Sequence, residues 1–252
     1  MKKMLFLCLI AIPAVSCTTQ NTQIKTDLEA ANLKGKVKSL TKTIHNNQGS
    51  ICCPFADIME CRQTAMTYDE QGNVTESSLF DGNGDITMVS KYCYNQNGQC
   101  REIDKFIGGT EAGKEQYVFA GNKVSKVKVL DEKGKKQAIY KNRYNGNDLA
   151  ETITLNADGD VVGSVTYEIS NGQVISETKK DGKGNIEAVR RFKRNDNNDV
   201  IEAKIILPAS NKEFRFVYEY EYDEAGNWIQ QTQLLDGNIS RVTVRNISYY
   251  KS

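Results

Sequence analysis

The chain has 252 residues, with 33 Lys and Arg against 32 Asp and Glu, a net charge of +1 and a single histidine. A balance this even, with acids and bases interspersed, gives no global attraction to nucleic acid or to an anionic membrane surface. One histidine excludes multi-histidine metal centres and most histidine-based catalytic triads.

The first 17 residues read as a targeting segment. Lys2 and Lys3 form a charged start, Met4 to Val15 is an apolar stretch too short for a comfortable membrane span, and Ala14-Val15-Ser16-Cys17 is a small-residue cleavage site ending in cysteine. The pattern resembles a bacterial lipoprotein signal, which makes Cys17 the lipidated first residue of the mature chain. Cleavage removes Lys2 and Lys3 and no acid, so the charge falls from +1 to −1. Residues 18–34 then form a polar tether that reaches about 60 Å at roughly 3.3 Å per residue. Thr18, rather than Asp, fits outer-membrane sorting with a periplasm-facing domain. A short helix is predicted from Asp27 to Leu33, ended by Gly35.

From residue 35 to 252 the chain repeats itself with a period of about 25 residues. The clearest copies are Tyr68-Asp69-Glu70-Gln71-Gly72-Asn73 and Tyr222-Asp223-Glu224-Ala225-Gly226-Asn227. Weaker ones stand at Tyr94, Phe119, Tyr144, Ile169 and Arg194. A second turn signal falls halfway through each repeat, as in Asp81-Gly82-Asn83-Gly84 and Asp181-Gly182-Lys183-Gly184. Asp, Asn and Gly suit turns because they bond their own backbone or tolerate positive φ. The spacers are strand length, and Arg215 to Tyr222 alternates strictly. The predicted fold is all-β: an antiparallel meander of about 16 short strands built from hairpin repeats, forming one long curled sheet. Many strands are too polar for a thick two-layer sandwich. An open shell and a closed barrel both satisfy the pattern.

Five cysteines remain after Cys8 and Cys17 are set aside. If Asn95 to Gly98 form a four-residue hairpin loop, Cys93 faces Cys100, and the two are a candidate disulfide. Cys52, Cys53 and Cys61 lie in the one long irregular insert. A bridge from Cys61 to either of the first two leaves an odd thiol, and a soft-metal site with His45 has no familiar ligand spacing. Turns such as Asp81 to Asp85 look superficially like calcium loops but are about half the length that ligand set requires. Nothing in the chain points to a cofactor or a metal.

Aromatic residues recur just before the main turn. Their bland role is the strip that holds the curled sheet together; their functional role is a stacking platform for a sugar or a partner. Exposed aromatics of one region, Tyr218, Tyr220, Tyr222 and Trp228, are the candidate binding surface. No nucleophile elbow or phosphate loop is present.

The Tyr-Asp-x-x-Gly-Asn copies resemble the YD repeats of the RHS family, and most of all the small YD-repeat lipoproteins of Bacteroidetes. The resemblance covers about residues 33 to 250, including the opening strand Leu33 to Leu40. It implies a spiralling β-structure, although the chain is far too short to enclose a toxin as large RHS proteins do. The expected role is that of a lipid-anchored, non-enzymatic binding or scaffold module with a protein or glycan partner. The alternatives are an immunity-type protein that neutralises a toxin, and an envelope hydrolase using a carboxylate pair.

Overall fold

The computed structural model describes residues 25–46 and 63–251. The signal segment, Cys17, residues 18–24 of the tether, and Cys52, Cys53 and Cys61 lie outside the described residues. Sixteen antiparallel strands follow one another around a closed barrel. They are β1 (Val37–Asn46), β2 (Gln63–Tyr68), β3 (Val74–Phe80), β4 (Ile86–Tyr94), β5 (Cys100–Ile107), β6 (Thr110–Ala120), β7 (Lys123–Asp131) and β8 (Lys136–Asn145), then β9 (Asp148–Asn156), β10 (Val161–Ser170), β11 (Gln173–Asp181), β12 (Ile186–Arg194), β13 (Val200–Leu207), β14 (Lys212–Tyr222), β15 (Trp228–Leu235) and β16 (Asn238–Tyr249). The expected meander is therefore present, and its two ends meet. Leu40 of β1 pairs with Ile247 of β16 on one side and with Met66 of β2 on the other. Closure removes the unpaired edges that an open sheet would expose.

The turns explain the repeat. In eight of them the residue opening the turn is Asp or Asn, its backbone N–H bonding the carbonyl four residues on. Its side chain accepts amide hydrogens from inside the same turn. Asp81 Oδ1 takes those of Asn83 and Asp85 at 2.8 and 3.0 Å, and Asp181 Oδ1 those of Lys183 and Asn185, both at 2.8 Å. The fourth position sits at positive φ, as at Gly72 (90°) and Gly84 (90°), which is why glycine recurs there. In the calcium-like turn Asp81 to Asp85, one carboxylate oxygen thus serves its own loop. Five other connections are two-residue turns, such as Asn171-Gly172 and Asp236-Gly237, with positive φ at both residues in these two. They account for several eroded copies: the hairpin persists with a shorter loop and no Asx acceptor.

The recurrent aromatic before the turn also has a structural cause. The Tyr94 hydroxyl bonds the carbonyl of Val74 at 2.8 Å, Tyr144 that of Val124 at 3.1 Å and Tyr220 that of Val200 at 2.6 Å. Arg194, which stands where the motif has tyrosine, reaches the Val174 carbonyl at 3.4 Å from its guanidinium. The reach is 20 residues in every case. Each of these side chains ties its strand to the start of the preceding one, so a guanidinium substitutes where the donor alone matters.

Side chains alternate between an inner and an outer wall. The inner wall carries the repeat tyrosines and the buried residues Val127, Ala138, Ala188, Ala203 and Phe216. Ala203, Ile205 and Phe216 form a core patch on β13 and β14 with Phe192, Phe214 and Leu235 around it. A second patch lies at the barrel end that bears the Tyr-Asp turns, and it includes residues that precede the barrel. Thr26 caps a single helical turn, α1 (Asp27–Ala30), through a capping box with Glu29. Leu28 and Leu33 bury against Val37, Leu40, Tyr68 and Val74. The helix is shorter than the predicted Asp27 to Leu33; the chain leaves it through Asn32, at φ 55°.

Candidate binding site inside the barrel

Residues 26–36 form a strap across one mouth of the barrel. At its start Asp27 Oδ2 accepts the Val74 amide at 2.8 Å and, at 2.5 Å, the Tyr94 hydroxyl, whose single hydrogen is shared with the Val74 carbonyl, on β3 and β4. Further on, Asn32 donates to the carbonyl of Asn197, in the β12–β13 turn, at 2.7 Å. That turn is on the far side of the strand order from β4. Asn227 then grips the strap backbone twice: its Oδ1 accepts the Lys34 amide and its Nδ2 donates to the Lys34 carbonyl, both at 2.8 Å. Asn227 is the last residue of the second clear Tyr-Asp copy and is 2% exposed, so it serves a tertiary task as well as a turn. Residues 25–34, assigned from sequence to a polar tether, are thus an integral part of the barrel end.

Beneath the strap, Tyr218, Tyr220, Tyr222 and Trp228 lie together on the inner wall. Tyr218 pairs with Gln233, Tyr220 with Gln231 and Tyr222 with Trp228. The sequence reading placed these aromatics on an exposed surface. The structure corrects that: they share the face of the buried Phe216 and are half-buried. Strict alternation along β14 identifies one face but does not tell inside from outside. The Tyr220 ring centroid is 6.0 Å from that of Tyr222 and 5.9 Å from that of Trp228. The Tyr220 hydroxyl accepts from Gln231 Nε2 at 2.9 Å, and burial pushes its pKa up to about 12. Tyr222 donates to Asp199 Oδ2 at 2.9 Å and accepts from Asn195 Nδ2 at 3.0 Å.

Sequence reasoning missed Arg245. Its guanidinium carbon lies 3.3 Å from the Trp228 ring centroid. The two are brought together because β16 and β15 are neighbours and both side chains point inward. Burial depresses its pKa to about 10, against the opposing influence of Tyr68, Asp199 and Tyr220, so it remains a cation at neutral pH. Its Nε is buried without a hydrogen-bond partner.

The carboxylates of the inner wall are engaged one by one. Glu115, 6% exposed, holds Lys105 at 2.5 Å and accepts the Tyr117 hydroxyl at 2.9 Å. Glu177 faces Arg190 at 3.5 Å. No group of three or more His, Cys, Asp or Glu side chains converges among the described residues. His45 is exposed and pairs in register with Val242.

The Cys93–Cys100 pairing rests on a register that the structure does not have. The Asn95 amide bonds the Gln99 carbonyl, so the turn takes five residues and Tyr94 pairs with Cys100. A bulge at the next position sets Cys93 opposite Glu102. Cys93 is exposed, Cys100 shares the face of Tyr94, and both are free thiols.

The outer wall is charged around its circumference. Lys114 lies 3.2 Å from Glu102 and 3.5 Å from Asp104 on β5 and β6, Arg143 lies 3.0 Å from Glu151 on β8 and β9, and Glu202 on β13 holds both Lys193 and Arg215. Arg143, Lys193 and Arg215 are 63 to 70% exposed. Exposed aliphatic residues stand at the two rims: Ile86, Ile107, Val161, Val162, Ile186 and Ile239 at the rim opposite the strap, at 43 to 57%, and Val118, Ile175 and Ile201 near the strap, at 37 to 41%. A collar one or two residues deep is about 7 Å tall at roughly 3.4 Å per residue.

No protein-family model matches the chain, and no curated protein does. Among solved structures, a porin-like protein from Bacteroides uniformis is similar over 84% of this chain and 96% of its own, at 12% identity and a TM-score of 0.56. A porin-like protein from Bacteroides vulgatus aligns over 85% of this chain and 98% of its own, at 12% identity and a TM-score of 0.40. The Tc holotoxin pore of Photorhabdus luminescens aligns over 81% of this chain but 11% of its own, at 16% identity and a TM-score of 0.30. At its identity the likeness to the Bacteroides uniformis protein concerns the fold alone.

Proposed function

We propose that this protein is a water-exposed β-barrel, held at the outer membrane by a lipid on Cys17 and facing the periplasm, that acts as a non-enzymatic binding module. The observation that carries the reading is the charged outer wall. A barrel that crosses a membrane turns an apolar band about 25 Å tall to the lipid, and a Lys or Arg at mid-depth costs about 2–4 kcal/mol. Here ion pairs occupy the wall on strand after strand, and the apolar collar is about a quarter of that height. The strap supports the same reading, since it lies across one mouth where a pore needs an opening.

The porin-like neighbours are compatible with an envelope setting, and the Tyr-Asp motif with the YD-repeat lipoproteins it resembles. The inner wall supports binding over hydrolysis, because Glu115, Glu177 and Asp199 are each paired with a cation or a tyrosine instead of with each other. The experiment is fractionation of cells expressing the full chain as wild type and as Cys17→Ala. The wild type is expected in the outer-membrane fraction and the Cys17→Ala chain in the soluble periplasmic fraction. Retention of Cys17→Ala in the membrane through carbonate washing, or ion conductance of the full chain in planar bilayers, would overturn the reading.

A further inference from the structure

We infer that Arg245 anchors an anion-binding site on the inner wall, with Trp228 and Tyr220 as the apolar walls against which the body of a small organic anion lies. The guanidinium has no hydrogen bond or ion pair among the described residues, and its Nε is buried with no acceptor. Arg245 is half-buried, and a charge partly withdrawn from water without such partners is costly. The nearby carboxylate, Asp199, takes the Tyr222 hydroxyl at 2.9 Å instead. A second cation of the same cluster, Arg194, spends its terminal nitrogens on the carbonyls of Asn198 and Val174, at 3.0 and 3.4 Å, and lies in the field of Asp199 and Glu177. Asp199 is thus shared by Tyr222 and the two guanidiniums, and no acceptor among the described residues meets the terminal nitrogens of Arg245.

The arrangement is also held ready. Stacking on Trp228 fixes the plane of the Arg245 fork, and a fixed planar fork matches the two oxygens of a carboxylate or of a phosphate monoester. The Tyr220 hydroxyl donates to Val200 and accepts from Gln231, so its polar capacity is used and its ring face is what remains. The Trp228 and Tyr220 rings are inclined at 58°, which makes a corner instead of a closed stack. A ligand with an anionic head and a flat apolar body fits that corner. The strap covers this end of the barrel with Leu28 and Leu33, which keeps the site on the interior side of an apolar layer.

This inference deepens the binding-module reading and rests on it, yet the two fail separately, because the first is read from fractionation and the second from Trp228. Trp228 is the only tryptophan, so its fluorescence reports directly on the ring under Arg245. The full chain carrying Cys17→Ala is titrated with benzoate, phenyl phosphate and neutral benzamide. A saturable change with one or both anions is expected and none with benzamide. Benzoate alone assigns a carboxylate ligand, phenyl phosphate alone a phosphate, and both a general organic oxyanion. Arg245→Lys, which keeps the charge and loses the fork, is expected to bind at least about tenfold more weakly, and Arg245→Gln to give no response while its circular dichroism stays that of the parent. No saturable response of the parent to either anion, an equal response to benzamide, or unchanged affinity in folded Arg245→Gln would overturn the site.

Discussion

The carboxylate of Asp27 receives the Tyr94 hydroxyl at 2.5 Å, across 67 residues of sequence, and so fastens the strap to the barrel wall. The same oxygen takes the Val74 amide at 2.8 Å. Hydrogen bonds to charged groups contribute about 1.5–3 kcal/mol, and a buried donor left without an acceptor costs about 1–3 kcal/mol. Asp27→Ala is expected to destabilise the barrel by about 2–3 kcal/mol in urea unfolding, and Tyr94→Phe by less, since Val74 keeps its acceptor. The double variant should cost less than the sum of the two. Additive costs would mean that the two side chains do not act on each other.

Gly72 and Gly84 separate turn strain from strap packing. Both sit at φ 90°, so alanine at either carries the left-handed penalty of about 1–2 kcal/mol. A Cβ at Gly84 meets open space, whereas at Gly72 it comes 3.1 Å from Leu28 Cδ1 and 3.2 Å from Thr26 Oγ1. Gly72→Ala is therefore expected to cost about 1 kcal/mol more than Gly84→Ala by the same unfolding assay. Equal losses would show that the strap yields freely at this contact.

These contacts also mark what a sequence can and cannot convey. Turns, strand number and hairpin repeat were legible because the Asx acceptor and the positive-φ glycine are local requirements, met within five residues, as at Asp81 and Gly84. Barrel closure was not legible, because it depends on β1 meeting β16 and no residue of either announces it. The strap was hidden for a similar reason: Asn227 looks like a turn residue and is one, while its side chain does its second task 193 residues away. The Cys93 register failed by local details: a five-residue turn pairs Tyr94 with Cys100, and a bulge then moves Cys93 on to Glu102. Arg245 carried no signal at all, since its environment is assembled from β15, β16 and the tyrosines of β14.

Glu177 gives a signed dependence on pH. Burial raises its pKa above the ordinary 4.5, and the attraction of Arg190 only partly offsets this. A carboxyl with a raised folded pKa leaves stability intact below the unfolded value and erodes it as pH rises through the folded one, because the unfolded chain releases the proton first. Glu177→Gln removes that erosion. The stability of the parent relative to Glu177→Gln should thus fall between pH 4 and neutrality, measured by urea unfolding across the range. A difference that does not change with pH, or that grows in favour of the parent, would contradict the burial of this group.

Cys93 and Cys100 should differ sharply in reactivity, because the barrel wall separates them. Cys93 is exposed. Cys100 is on the Tyr94 face, its thiol contacts the Glu102 carbonyl at 3.6 Å, and burial pushes its pKa up to about 12. At pH 8 a thiol with that pKa is ionised to only about one part in ten thousand, and the thiolate is the form that reacts. Brief iodoacetamide treatment of the native protein, read by peptide mass spectrometry, should label Cys93 and spare Cys100, and both should be labelled after unfolding in urea. The same register predicts no Cys93–Cys100 bridge in protein taken from the periplasm, since the two side chains point to opposite faces of the sheet. A peptide pair linked through these two cysteines would show that the β4–β5 hairpin closes one register away from the arrangement described.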